Sequence, residues 1–113
     1  MSDEVRRRLA DMRSYAQVAQ RLVEGRSYDD FLRDERTRYA TQYLLLVVGE
    51  ASLYVSESVR LGLASIPWAK LRGMRNRLAH AYATVEPPIV YLAATEEIPH
   101  LLRALAAGPA RRT

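Results

Sequence analysis

The chain has 113 residues, 49% of them hydrophobic and 27% charged, with 17 basic against 13 acidic residues for a net charge of +4. That length supports one core rather than two, and the balance is that of a folded domain, not a disordered one. Cysteine is absent, which excludes a disulfide scaffold, a cysteine zinc site and thiol catalysis. The opening Met-Ser-Asp-Glu lacks the basic-then-apolar pattern of a secretory signal. The longest apolar run, residues 43–48, is far too short for a bilayer span. The expectation is a small cytoplasmic domain with no membrane partner.

Every periodic segment reads as helix. Ser2 can cap a first helix, with Asp3 and Glu4 in its first turn facing the helix dipole. Val5, Leu9, Met12, Ala16, Ala19 and Val23 then recur at steps of 4, 3, 4, 3 and 4, one apolar stripe at helical period. Gly25 is the expected stop, and residues 27–32 can form one short turn. Asp34 caps a second long helix whose stripe runs Ala40, Tyr43/Leu44, Val47, Ala51, Tyr54/Val55 and Val59, ending near Gly62. Residues 44–48 are apolar all round, so this helix is expected to be the most buried. Ser65-Ile66-Pro67-Trp68 opens a third helix, with proline tolerated in the first turn. Pro87-Pro88 starts a fourth, which Pro99 should kink or restart because it removes a backbone donor. Leu101, Leu102 and Leu105 continue its apolar face, and residues 108–113 read as a frayed tail. The predicted fold is therefore all-α: an antiparallel bundle of four to five helices within residues 1–107. The length of the first two helices leaves apolar surface that favours a symmetric dimer.

The basic excess is local. Residues 1–57 hold nine Arg against ten acids, and residues 86–113 hold three against three. Residues 58–85 hold Arg60, Lys70, Arg72, Arg75 and Arg77 and no acid. A local positive field points to a polyanion, although a solvated helix face explains it equally. Candidate metal ligands are few: Glu96 and His100 stand four apart on a predicted helix, an incomplete pair. No Gly-rich phosphate loop is present, and no metal or cofactor is expected.

Within the basic stretch lies Gly73-Met74-Arg75-Asn76-Arg77-Leu78-Ala79-His80-Ala81-Tyr82, which holds Arg75, four residues, His80, one residue and Tyr82. This run resembles the signature of the HEPN superfamily, and within it the HepT-like toxins of HepT/MntA-type toxin–antitoxin pairs. Gly49-Glu50-Ala51, Ile66-Pro67-Trp68, Ile89-Val90 and Thr95-Glu96-Glu97-Ile98-Pro99 resemble the family's sequence in its second, motif and last helices, so the likeness covers most of the chain. Pro87-Pro88 departs from the acidic or polar residues common in the family there, which alters the loop after the motif and leaves the motif untouched.

The resemblance implies a HEPN-like helical homodimer, or a higher assembly of dimers, acting as a metal-independent endoribonuclease toxin of a type VII-like pair. It implies catalytic roles for Arg75, His80 and Asn76, RNA as substrate, and an MntA-like nucleotidyltransferase antitoxin that transfers AMP to Tyr82. His80 suits proton transfer because imidazole titrates near neutral pH. Arg75 suits charge stabilisation through its permanent cation and planar donor fork. Lys70, Arg72 and Arg77 are proposed as RNA-binding, phosphate-steering residues. On one continuous helix, at about 100° per residue, Arg75 and His80 stand about 140° apart and do not converge. Either the helix breaks before His80, or two copies of the motif build one composite site, as the resemblance implies. Other readings stay open. Arg75 can instead pair with a carboxylate such as Glu50, His80 can be a helix C-terminal residue favoured by the dipole, and Tyr82 can pack on the apolar stripe with its hydroxyl outside. A non-catalytic RNA- or nucleotide-binding subunit that partners a nucleotidyltransferase is the second function class, and a structural helical adaptor the third.

Overall fold

The computed structural model describes residues 1–108. Seven α-helical segments fall in the order α1 (Asp3–Val23), α2 (Tyr28–Arg33), α3 (Glu35–Ser52), α4 (Glu57–Gly62), α5 (Trp68–His80), α6 (Pro87–Leu92) and α7 (Ile98–Ala107). A 3-10 turn, Tyr82–Thr84, follows α5, and a π turn, Ala93–Glu97, joins α6 to α7 in one rod. No strand occurs among the described residues, and none of the helices is long and apolar enough to cross a membrane. The expected four to five helices become six because α2 and α4 are separate one-and-a-half-turn pieces. The tail expected at 108–113 lies, beyond Gly108, outside the described residues.

Caps set the helix starts. Ser2 Oγ accepts from the Val5 amide at 3.1 Å. Ser27 and Asp30 form a reciprocal capping box on α2. Asp34 caps α3 by accepting from the Thr37 amide (3.2 Å), the Thr37 hydroxyl (2.7 Å) and Arg26 (2.9 Å). Gly25 adopts φ +73° after α1, a left-handed turn that favours glycine. Pro99 restarts the last helix as expected: the Ile98 amide reaches back five residues to the Ala93 carbonyl, and the π turn absorbs the step before the proline.

The stripe of α1 is buried as read: Val5, Met12, Ala16, Ala19 and Val23 all face the core. The stripe of α3 is buried only at its C-terminal end, where Ala51 and the following Val55 are enclosed. The other buried residues of α3, Thr37, Thr41, Leu45, Val48, Gly49 and Ser52, centre about a quarter-turn away, and Ala40 and Tyr43 stay exposed. This helix packs against α1, α2, α5 and α6, so small and β-branched residues share its close contacts with Leu45, while Tyr43 stands outward. Nor does α3 reach Gly62. The Ser52 hydroxyl donates to the Gly49 carbonyl (2.6 Å), and the next three amides bond back only three residues. Such local side-chain bonds compete with continued helix. The chain turns there and resumes as α4.

The contact between α3 and α5 is unusually close at Gly49. A Cβ at that position would lie 2.7 Å from Arg75 Cβ and 3.0 Å from the Leu71 carbonyl oxygen. Neither atom is the free end of a side chain. Gly49→Ala therefore lowers stability by about 1–3 kcal/mol in urea unfolding, although alanine is the better helix former by about 1 kcal/mol. Gly62→Ala, with nothing within 4 Å of the added Cβ, serves as the control and is expected to be neutral or stabilising by up to about 1 kcal/mol.

Asp34 makes the α3 cap pH-dependent. The Thr37 hydroxyl and then the Thr37 amide, with help from Arg26, hold its carboxyl below the usual carboxylate range. A lowered folded-state value means the stabilisation is present above the unfolded value, about 3.9, and is lost as pH falls through the folded one. Asp34→Asn keeps a capping acceptor without a titrating group. Its Tm is expected to fall less steeply than the wild type's below about pH 4; parallel acid slopes would remove Asp34 from the acid sensitivity.

Candidate active site

The candidate site residues sit on α5 and the turn that follows it. The helix starts after Pro67, where the Leu71 amide bonds the Pro67 carbonyl (3.1 Å) and the Trp68 indole N–H donates to the Leu63 carbonyl (3.1 Å). Leu71 and Leu78 anchor α5 in the core, which fixes the rotation of everything between them. At about 100° per residue, Arg72, Arg75, Asn76 and His80 then share an arc of about 140°. Lys70 and Arg77 stand on the opposite flank.

Arg75 lies where Gly49 lets α5 approach α3. Its Nε–H donates to Glu50 Oε2 at 2.7 Å and its Nη1 to Asn76 Oδ1 at 3.1 Å. The Arg75 side chain is 25% exposed and that of Glu50 41%. The guanidinium is thus held on two edges, and Nη2 makes no protein hydrogen bond among the described residues. The carboxylate pairing considered from the sequence is present. It orients the fork without burying it.

His80 is the last residue of α5 and is exposed. The helix does not break before it. No hydrogen bond joins His80 to Arg75, and the two diverge as one continuous helix requires. The break comes one residue later: Ala81 takes φ −126°, and its amide bonds the Arg77 carbonyl at 2.8 Å. Thr84 then closes the 3-10 turn through its hydroxyl to the Ala81 carbonyl (3.0 Å). This corrects the placement of Tyr82 on the apolar stripe. Because the helix has ended, the Tyr82 ring leaves the core and is 68% exposed.

The basic residues divide. Arg72 is exposed on the arc shared with Arg75, Asn76 and His80. Lys70 and Arg77 instead edge a groove of about 360 Å³ between α5 and the last rod, which also carries Met74, Ile89, Leu92 and Glu97. Glu96 and His100 are both exposed, and no cluster of three or more His, Cys, Asp or Glu side chains suited to a metal occurs among the described residues.

Sequence reasoning missed the outer face of α3. Tyr39 and Tyr43, 58% and 63% exposed, lie beside Tyr82 with Leu46 and Gln42. Tyr39, Tyr43, Leu46 and Glu50 recur at steps of 4, 3 and 4, a second helical stripe that leads straight to the Arg75 contact. That periodicity was available; it was masked by the more apolar stripe beside it.

The model of the family described as ribonuclease HepT-like matches residues 12–107. A protein of Thermococcus cleftensis named "Probable ribonuclease HepT" is 29% identical over 93 residues, 82% of this chain and 84% of its own length. A "Putative RNase" of Methanocaldococcus jannaschii is 31% identical over 93 residues, covering 82% of this chain and 80% of that one. Another, of Caldanaerobacter subterraneus subsp. tengcongensis, is 33% identical over 79 residues, 70% of each chain. No solved structure matches the chain. The match spans α5 with its Arg75–His80–Tyr82 run and the α3 segment that holds Glu50 against it, and the chain belongs to the ribonuclease HepT-like family.

Proposed function

We propose that the protein is a metal-independent endoribonuclease, the toxin of a type VII-like toxin–antitoxin pair, whose active site is composite across a symmetric homodimer. The observation that carries this is the divergence of Arg75 and His80 on one unbroken helix. Arg75, a quarter exposed, and His80, exposed, stand at the two ends of one arc, so a second copy of α5 across a two-fold axis brings the arginine of one protomer toward the histidine of the other. The outer stripe of α3, with Tyr43 and Leu46, supplies apolar surface for that partner.

The reaction needs no group beyond these side chains. A base takes the proton of an RNA 2′-hydroxyl, whose oxygen attacks the adjacent phosphorus. The bond to the 5′-oxygen breaks, and an acid returns a proton to that oxygen. The products are a 2′,3′-cyclic phosphate and a 5′-hydroxyl. His80 moves the protons. Arg75 stabilises charge on the phosphorane-like transition state through its unpaired edge, and Asn76 holds that edge in place. General acid–base catalysis is worth about 10²–10⁴-fold and one placed electrostatic donor about 10²–10³-fold, enough for a modest, regulated nuclease. Arg72 lies on the catalytic arc and steers phosphates toward it, while Lys70 and Arg77 extend the positive field around the helix.

Tyr82 is proposed as the switch. Its exposed phenolic oxygen attacks the α-phosphorus of ATP held by an MntA-like nucleotidyltransferase. The new oxygen–phosphorus bond replaces the α–β anhydride, pyrophosphate leaves, and the phenolic proton passes to solvent. The attached AMP places negative charge and bulk beside the catalytic arc. A non-catalytic RNA- or nucleotide-binding subunit for the same partner is the second reading, favoured by the Arg75–Glu50 ion pair, which gives Arg75 a structural role in the single chain.

Two experiments separate these. His80→Ala, at an exposed helix end, leaves stability within about 0.5 kcal/mol and lowers RNA cleavage by about 10²-fold or more; unchanged cleavage with intact partner function selects the second reading. Tyr82→Phe keeps cleavage and escapes ATP-dependent neutralisation, read as the absence of an AMP mass gain on co-expression with the nucleotidyltransferase. A Phe variant that is still neutralised with ATP removes Tyr82 from regulation.

A further inference from the structure

We infer that the cleft between α2, α3 and the Tyr82 turn is a binding subsite for one nucleoside monophosphate unit, with Arg38 as its phosphate partner and the rings of Tyr39 and Tyr82 as walls for its base. The cleft has a volume of about 520 Å³, within the range of small-molecule sites, about 300–1,000 Å³. Its floor is rigid. Phe31 is fully buried and lies 5.2 Å from the Tyr91 ring, whose hydroxyl is tied to the Arg26 carbonyl at 2.6 Å. Val90 completes the apolar base.

Three buried polar groups find no hydrogen-bond partner among the described residues, on Arg8, Arg38 and Thr41, and of these Arg38 is the one that lines the cleft. Its Nε is buried and has no hydrogen-bond partner, and it forms no ion pair among the described residues. A buried donor without an acceptor is rare and costly, and an anionic oxygen in the cleft would pair with the guanidinium that carries it. The guanidinium also lies 5.5 Å from the centre of the Tyr39 ring, so cation and aromatic wall are already adjacent. Gln42 Nε2 reaches the Tyr82 carbonyl only at 3.5 Å, a contact weak enough to exchange for a base edge. No carboxylate lines the cleft. The groove beside Lys70 and Arg77 has Glu97 on its wall and is the poorer phosphate cradle. Exposed tyrosine rings give stacking faces tolerant of base identity.

The same chemistry has two sources here: an RNA residue neighbouring the cleaved phosphodiester, or AMP attached to Tyr82. The inference deepens the nuclease reading of this face but can fail separately from it.

The test titrates the full-length chain with 5′-AMP, with adenosine and inorganic phosphate as partial probes, by NMR and calorimetry. AMP is expected to bind saturably, to shift the Arg38 Nε–H resonance, and to bind more tightly than either partial probe. Arg38→Ala should weaken AMP by about tenfold or more. Tyr39→Ala, at an exposed ring whose loss spares the core, should weaken it as well. No Arg38 shift at millimolar AMP, or equal affinity in Arg38→Ala and wild type, overturns the subsite. An RNA occupant predicts that Arg38→Ala weakens a 2′-O-methyl oligonucleotide by about tenfold and raises KM more than it lowers kcat. A tyrosine-linked occupant predicts the Arg38 shift in adenylylated protein with no ligand added. Cleavage without AMP binding refutes the subsite and spares the nuclease; AMP binding at Arg38 in a protein that cuts no RNA does the reverse.

Discussion

The approach of α5 to α3 at Gly49 governs the rest of the structure. With no Cβ in the way, the Arg75 backbone sits against α3, and the next residue, Glu50, meets the guanidinium at 2.7 Å. A side chain at Gly49 would separate the helices and leave Arg75 free to rotate. The ion pair is half-exposed and adds little stability, about 1 kcal/mol or less for such pairs. Its effect is geometric: it turns an arginine with four rotatable bonds into a fixed donor edge.

That fixed arginine sits on a helix anchored by Leu71 and Leu78, and helical geometry then dictates the division of labour on α5. Arg72, Arg75, Asn76 and His80 share the outward arc, whereas Lys70 and Arg77 are carried to the other flank beside an apolar groove. The positive stretch that reads as one field along the chain is two surfaces in space. Along the outward arc lie Arg72 and Arg75, then the end of the helix at His80, where the dipole favours a cation. The other flank presents its charges over Met74, Ile89 and Leu92, a setting of different character.

Helix termination matters as much as helix formation. Had α5 run two residues further, Tyr82 would lie near the Arg75 edge and pack inward. The turn at Ala81 and the 3-10 segment after it swing the ring into solvent, next to Tyr39 and above the cleft that holds Arg38. The proposed modification of Tyr82 and the proposed nucleotide subsite beside it both depend on this one break. It follows His80, whose proposed role needs the helix intact up to that point.

Much of this was legible in the chain. The α1 stripe, the caps at Ser2 and Asp34, the stop at Gly25 and the restart at Pro99 follow from local chemistry that tertiary contacts do not overrule. The Arg75–His80–Tyr82 spacing and the 140° divergence are arithmetic on a helix. Three features escaped the hydropathy pattern. The buried face of α3 mixes Thr37, Thr41, Gly49 and Ser52 with Leu45 and Val48, because helices on several sides need small residues there, and hydropathy does not register small or polar residues as a core. The end of α3 at Ser52 and the end of α5 at His80 are closed by hydrogen bonds to residues three or four back, local contacts that carry no hydropathy signal. Arg38, an ordinary arginine in the sequence, became distinctive only when folding buried its Nε without an acceptor on the wall of a cleft, because desolvation is a property of the surroundings and not of the residue.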